Sequence, residues 1–467
     1  MRNNSSNELS VIQEATMGLV QKVAQYIVHT DFSKIPREVI EKARNCILDG
    51  IGCGLYGQEF EATKILLQLA NEWKGKPEAS VIGVGSKMPS TMAAKVNGTA
   101  VHVADFDDSS FNFRGHPTAV VLPSALSLCE AEEKSGKDLL LAYIVGVEVG
   151  GKLGKVMGWS HYEAGWHGTG TIGTIASAAA SAKVLKLNEE KAAHALAIAA
   201  SGAAGIRENF GTMVKSLHAG QAAATGVLAA LLAGRGYRGS STAFEGKSGF
   251  WRTYKGEEEV GRWIDELSEP DTVRSVTLKR YASCAATHPA LDALEDLMKK
   301  EPFSWEDVEE IRCSVPPINL SVLIYPDPSD GLEAKFSLPY CVSTLVVRGK
   351  LDLSHFGKEA LNDQRVRKLM TKVKTVPDEN LGELIKKKHL LAPTEVRVIL
   401  KRRTLSKRVL EAKGSASYPL EDREIVEKFR VCAGRILSAG KVDKAISLIC
   451  SLEFLKNIAI LIETLSP

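Results

Sequence analysis

The chain has 467 residues, enough for about two to four domains and a sizeable core. Lys and Arg number 59 against 56 Asp and Glu, a net charge of +3 without a long block of one sign, which argues against a nucleic-acid binder. Hydrophobic residues at 44% and charged residues at 25% exclude a disordered chain.

The opening residues, MRNNSSNELSVIQEA, hold no apolar run, so no secretory signal is expected and the chain reads as cytoplasmic. Residues 19–26, 39–48 and 64–73 repeat apolar side chains at helical spacing, and Pro36 supplies a turn before the second of them. Pro117 can open a helix over 118–131. Segments 174–187, 191–205 and 217–234 are dominated by Ala, Ser and Gly, with Leu, Ile and Val at helical spacing. Helices of small residues let their neighbours approach closely, so these are expected inside a bundle. The least charged stretch, 216–234, is too polar and too broken by Gly to be read as a membrane span.

Near residue 270 the pattern changes. Residues 272–278, 310–315 and 394–401 alternate apolar and polar side chains and favour β-branched types, which predicts strands. Helices are predicted between them at 290–300, 335–347 and 363–372. From 421 to 464 amphipathic helices return and are expected to pack back on the first ones. The reading is a mainly α protein: an all-helical domain from 1–268 and 416–467, with a smaller α+β lid domain, 269–415, inserted.

The eight cysteines are far apart in sequence and form no Cys-x-x-Cys or Cys/His zinc spacing, so neither a metal site nor a disulfide framework is expected. Gly168, Gly170 and Gly173 match a dinucleotide fingerprint, but residues 158–167 ahead of them are not a buried strand, so that reading is rejected. The acidic–histidine run from His102 is richer. Asp105, Asp107 and Asp108 crowd together and His116 follows before Pro117. Crowded carboxylates, if buried, raise at least one pKa and make acid–base chemistry near neutrality accessible. His167 precedes a small-residue helix, and Lys215 and His218 stand at the start of another. Lys279, Arg280, Cys284 and Tyr340 add cations, a thiol and a phenol from the second region. Each alone is more often structural. Together they suit a small polycarboxylate, whose charges must meet fixed donors when buried.

The segments ADFDD…HP (104–117), GTMVKSLHAGQAAATG (211–226), LKRYASCAATHPALDAL (278–294) and AKFSLPYCV (334–342) resemble the MmgE/PrpD family over nearly the whole chain. That family includes 2-methylcitrate dehydratase, cis-aconitate decarboxylase and iminodisuccinate epimerase. The resemblance implies an all-helical domain with an α+β lid, a homodimer, no nucleic-acid or membrane partner, and no metal, iron–sulfur cluster or organic cofactor. It also implies a pocket of Asp105, His116, His167, Lys215, Lys279 and Tyr340, with Ser109, Arg280, Cys284 and His218 binding substrate. Ser109 stands where the decarboxylase branch has threonine, and Cys284 near a histidine of that branch, which puts a hydro-lyase first. An epimerase, a decarboxylase and a non-catalytic binding protein are the alternatives.

Overall fold

The computed structural model describes residues 18–256, 267 and 269–467; the opening segment and the domain boundary at 268 lie outside the described residues. The protein is mainly α. Its first helices are α1 (Leu19–His29), α2 (Arg37–Gly57), α3 (Glu61–Trp73), α4 (Ser90–Val103), α5 (Pro117–Ala131), α6 (Gly136–Glu163), α7 (Gly168–Val184), α8 (Glu189–Gly202) and α9 (Met213–Gly234). Local chemistry sets their starts. Pro117 stands in the first turn of α5, and Ser135 and Asp138 form a capping box on α6. The side chains of Asn188 and Thr212 cap α8 and α9.

Small residues decide the packing. A Cβ on Gly98 of α4 would lie 2.9 Å from the Gly220 Cα of α9 and 3.1 Å from the Ala119 carbonyl of α5. These backbones therefore meet with nothing between them, and α7 is buried almost throughout. Among the described residues α9 is long and apolar enough by length and composition to cross a membrane, but half of that window is buried against the rest of the protein.

Beyond residue 281 a second hydrophobic core forms around a four-stranded sheet. Its order is β4-β3-β5-β6, where β3 (Val308–Val315) runs parallel to β4 (Val373–Pro377) and antiparallel to β5 (Thr394–Leu400), which pairs with β6 (Arg403–Val409). Helices α10 (His288–Lys300) and α11 (Leu338–Arg348) supply most of its helical side. A two-stranded ribbon, β1 (Ala79–Ser80) with β2 (Lys87–Met88), sits in the first region. The chain ends in α12 (Asp422–Ala433), α13 (Ala439–Cys450) and α14 (Ala459–Thr464), whose apolar residues join the first core. Phe429 of α12 packs on Gly52 of α2, 3.1 Å from where a Cβ would stand.

The strand predicted at 272–278 is not formed. Asp271–Ser275 is a short helix, because the buried Glu148 carboxylate accepts from the backbone N–H groups of Thr272 and Val273. Thr277 alone makes a bridge, to Ser109. Strands β4 and β6 are additions; their residues are largely intermediate or exposed, so they carry little apolar alternation to read.

Candidate active site

Helix α4 ends at Val103, and the turn that follows puts Asp105 in the left-handed region at φ 49°. Aspartate tolerates that conformation better than most residues. The turn aims the Asp105 carboxylate at two buried lysines. Lys215 Nζ, from the first turn of α9, lies 2.7 Å from Oδ1, and Lys279 Nζ lies 3.0 Å from Oδ2 and 2.9 Å from the Asp105 carbonyl. Burial alone would raise the Asp105 pKa, but the two ammonium groups reverse this and hold it well below the usual carboxylate range. Lys279 is raised in turn: burial works against its charge, but Asp105 and Asp107 together with neighbouring groups outweigh it.

Lys215 Nζ also donates to His102 Nε2 at 2.7 Å, which leaves the His102 proton on Nδ1, directed at Asp107 Oδ2 2.8 Å away. His116 Nδ1 lies 2.6 Å from the Asp108 carbonyl oxygen and 3.4 Å from Asp107 Oδ2. The Asp108 carboxylate accepts from the Thr118 N–H and hydroxyl and so anchors the start of α5; burial raises its pKa to about 7. His167, just before α7, faces His218 at 3.1 Å between Nδ1 atoms. Burial, with Lys215 adding to it, drives the pKa values of His102 and His167 well down, and burial does the same for His116. All three imidazoles are therefore neutral at physiological pH, and the one lone pair of His102, on Nε2, is taken up by Lys215.

Asp105, Ser109, His116, His167, Lys215 and Cys284 line a cavity of about 110 Å³ whose remaining walls mix aromatic side chains such as Trp159, Phe210 and Phe336 with aliphatic ones and the polar Arg114 and Asn319. It shares Phe111, Arg114, Ala285 and Leu391 with an adjoining chamber of about 670 Å³. The Ser109 hydroxyl is buried with no hydrogen-bond partner. Behind the cluster, Lys428 of α12 donates to the carbonyls of Phe106 (2.7 Å) and Lys279 (2.9 Å) and lies 2.6 Å from Asp49.

The structure thus brings together Asp105, His116, His167, Lys215 and Lys279, with Ser109 and Cys284 on the wall and His218 behind His167. Two residues are corrections. Tyr340 is buried in the second core, where its hydroxyl donates to the His355 carbonyl, because its position on α11 faces the sheet rather than the cleft. Phe336, earlier in the same segment, reaches the cavity instead, and Lys335 lies nearby with its ammonium on the Ala282 carbonyl. Arg280 points away from its neighbour Lys279 and is held by Asp292 and Glu295 at 3.2 and 2.9 Å. Sequence reasoning singled out the run holding His102 and Asp107 without placing either in the pocket, and it missed Lys428. His102 and Asp107 lie inside the quoted acidic run, and the three-residue step from His102 to Asp105 at a helix end was the available signal; Lys428 has none.

Comparison with known proteins matches residues 21–262 to the MmgE/PrpD N-terminal domain and residues 281–453 to the MmgE/PrpD C-terminal domain. The chain is 31% identical over 443 residues to the cis-aconitate decarboxylase of Homo sapiens, covering 91% of this chain and 89% of that one. To the cis-aconitate decarboxylase of Aspergillus terreus it is 26% identical over 482 residues, 98% of each. To the 2-methylcitrate dehydratase of Salmonella typhimurium it is 23% identical over 397 residues, 79% of each.

Proposed function

The chain belongs to the MmgE/PrpD family, and from that premise we propose that it is a lyase which breaks a bond next to a carboxylate of a small polycarboxylic acid. The observation that carries this is the Asp105 carboxylate held between two buried ammonium groups beside neutral imidazoles. Breaking such a bond builds negative charge on the adjoining carboxylate. Lys215, on the cavity wall, is the cation that meets it, while Lys279 and His102 keep Asp105 and Lys215 in place so that no reorganisation is needed as charge develops. His116 and His167 face the same cavity and move the proton. The Ser109 hydroxyl is available to a substrate oxygen.

Of the finer readings, decarboxylation of an acid of the cis-aconitate type comes first, supported by 31% identity to a cis-aconitate decarboxylase against 23% to a 2-methylcitrate dehydratase. Dehydration of a hydroxy-polycarboxylate, the expectation from Ser109 and Cys284, is the second reading; the neutral imidazoles favour it, since elimination of water begins with a base. Incubating the pure protein with cis-aconitate, 2-methylcitrate and citrate separates them: carbon dioxide release marks the first, and new alkene absorbance without it marks the second. Solvent deuterium entering an unchanged substrate would mean an epimerase, and thermal stabilisation without turnover a binding protein; either outcome removes the lyase assignment. A homodimer is proposed as well, supported by Met213, Val214 and Leu228 exposed along α9, and sedimentation tests it.

A further inference from the structure

Three imidazoles from separate elements meet at this site. His102 ends α4, His116 precedes α5 and His167 precedes α7, and each offers a ring nitrogen within 4.8 Å of the others. One nitrogen of every ring is already occupied by a neighbour: His102 Nδ1 by Asp107 (2.8 Å), His116 Nδ1 by the Asp108 carbonyl (2.6 Å) and His167 Nδ1 by His218 (3.1 Å). A partner on one nitrogen fixes tautomer and ring orientation and leaves the other free to ligate, which is how metal-binding histidines are held. A cation already uses this place, since the Lys215 ammonium lies 2.7 Å from His102 Nε2. The spacing of the three in sequence gives no hint of it, because they converge only in the fold.

We propose that His102, His116 and His167 form an inhibitory site for a divalent transition ion of the zinc type, which binds through the Nε2 atoms after displacing Lys215 from His102. Neutral imidazole selects such ions over magnesium or calcium, which take oxygen ligands. The ion and the lysine exclude each other, because His102 Nε2 has one lone pair. Binding stands independently of the reaction proposed above; only the inhibition rests on it, since the ion removes Lys215 from its position beside Asp105.

The test is a zinc titration by calorimetry of the full-length protein after chelator treatment, with visible absorption of the cobalt(II) complex as a second readout. One ion per chain is expected, with cobalt bands of a four-coordinate site. His116→Ala and His167→Gln should each weaken binding about tenfold or more. Lys215→Met should tighten it, which no surface site would show, and His29→Ala on the exterior should change nothing. Should a histidine variant fail to fold, the cobalt spectrum of the wild type and the Lys215→Met titration decide. Zinc affinity indifferent to both histidine substitutions, weaker binding by Lys215→Met, or a six-coordinate cobalt spectrum overturns the proposal. Zinc that binds as expected while leaving turnover of the true substrate intact removes the inhibitory role alone.

Discussion

Replacing Lys428 by methionine tests how the site is braced. The side chain is buried on α12, yet its ammonium lies 2.6 Å from Asp49, 2.7 Å from the Phe106 carbonyl, 2.9 Å from the Lys279 carbonyl and 3.8 Å from the Phe106 ring. Burial would lower its pKa, but Asp49 beside it raises it, so it is charged when folded. Methionine keeps the stem and leaves the Asp49 carboxylate buried opposite an apolar group. Removing one partner of a buried pair costs about 3–5 kcal/mol, and that is the expected loss in denaturant-derived unfolding free energy. Asp49→Asn combined with Lys428→Met should recover about half or more, because no uncompensated charge remains. Since Lys428 ties the turn after Asp105 to the backbone of Lys279, kcat should also fall about tenfold through misplacement of Lys279. A Lys428→Met protein within about 1 kcal/mol of wild type and equally active would refute this reasoning.

Lys215→Ala should lower kcat/KM about 10²–10³-fold, the cost of losing one oxyanion donor, with the far-ultraviolet circular dichroism unchanged; a wild-type rate would reduce Lys215 to a structural cation. Gly98→Ala should cost about 1–3 kcal/mol in chemical unfolding, because its methyl meets the Gly220 backbone at 2.9 Å. Burial raises the Glu148 pKa from 4.5 to about 7, so the native state holds that proton more tightly than the unfolded chain. Stability is therefore lost as pH rises between these values, by up to about 3 kcal/mol. Glu148→Gln should remove that slope; a difference between the two proteins that is the same at pH 5 and pH 8 contradicts the assignment.

The helical part of the fold is legible because periodicity, Pro117 and the Ala–Gly composition of α7, α8 and α9 all state the same thing locally. Residues 272–278 mislead because their alternation is overridden by a distant acceptor, Glu148, which no local pattern reveals. In the site, Asp105, His116 and Lys215 stand at helix ends, where chemistry-bearing residues are conspicuous in a sequence. Arg280 and Tyr340 are polar residues in the right segments on the wrong sides of their backbones. Side-chain direction there is decided by packing against the second core. His102, at the end of α4, shows its local partner Asp107 in the acidic run but not the distant Lys215, and Lys428 inside α12 acquires its role only from partners far away in the chain.

The seating of Phe429 on Gly52 has a consequence for synthesis. A ribosome delivers α2 long before α12, so the notch at Gly52 and the apolar side chains around it stay uncovered while nearly the entire polypeptide is made. Such surfaces are where nascent chains aggregate and where chaperones bind. A messenger truncated before the codon for Phe429 would yield a product in which this face of α2 lacks its α12 cover, and proteolysis, rather than slow catalysis, is the fate to look for in cells carrying it.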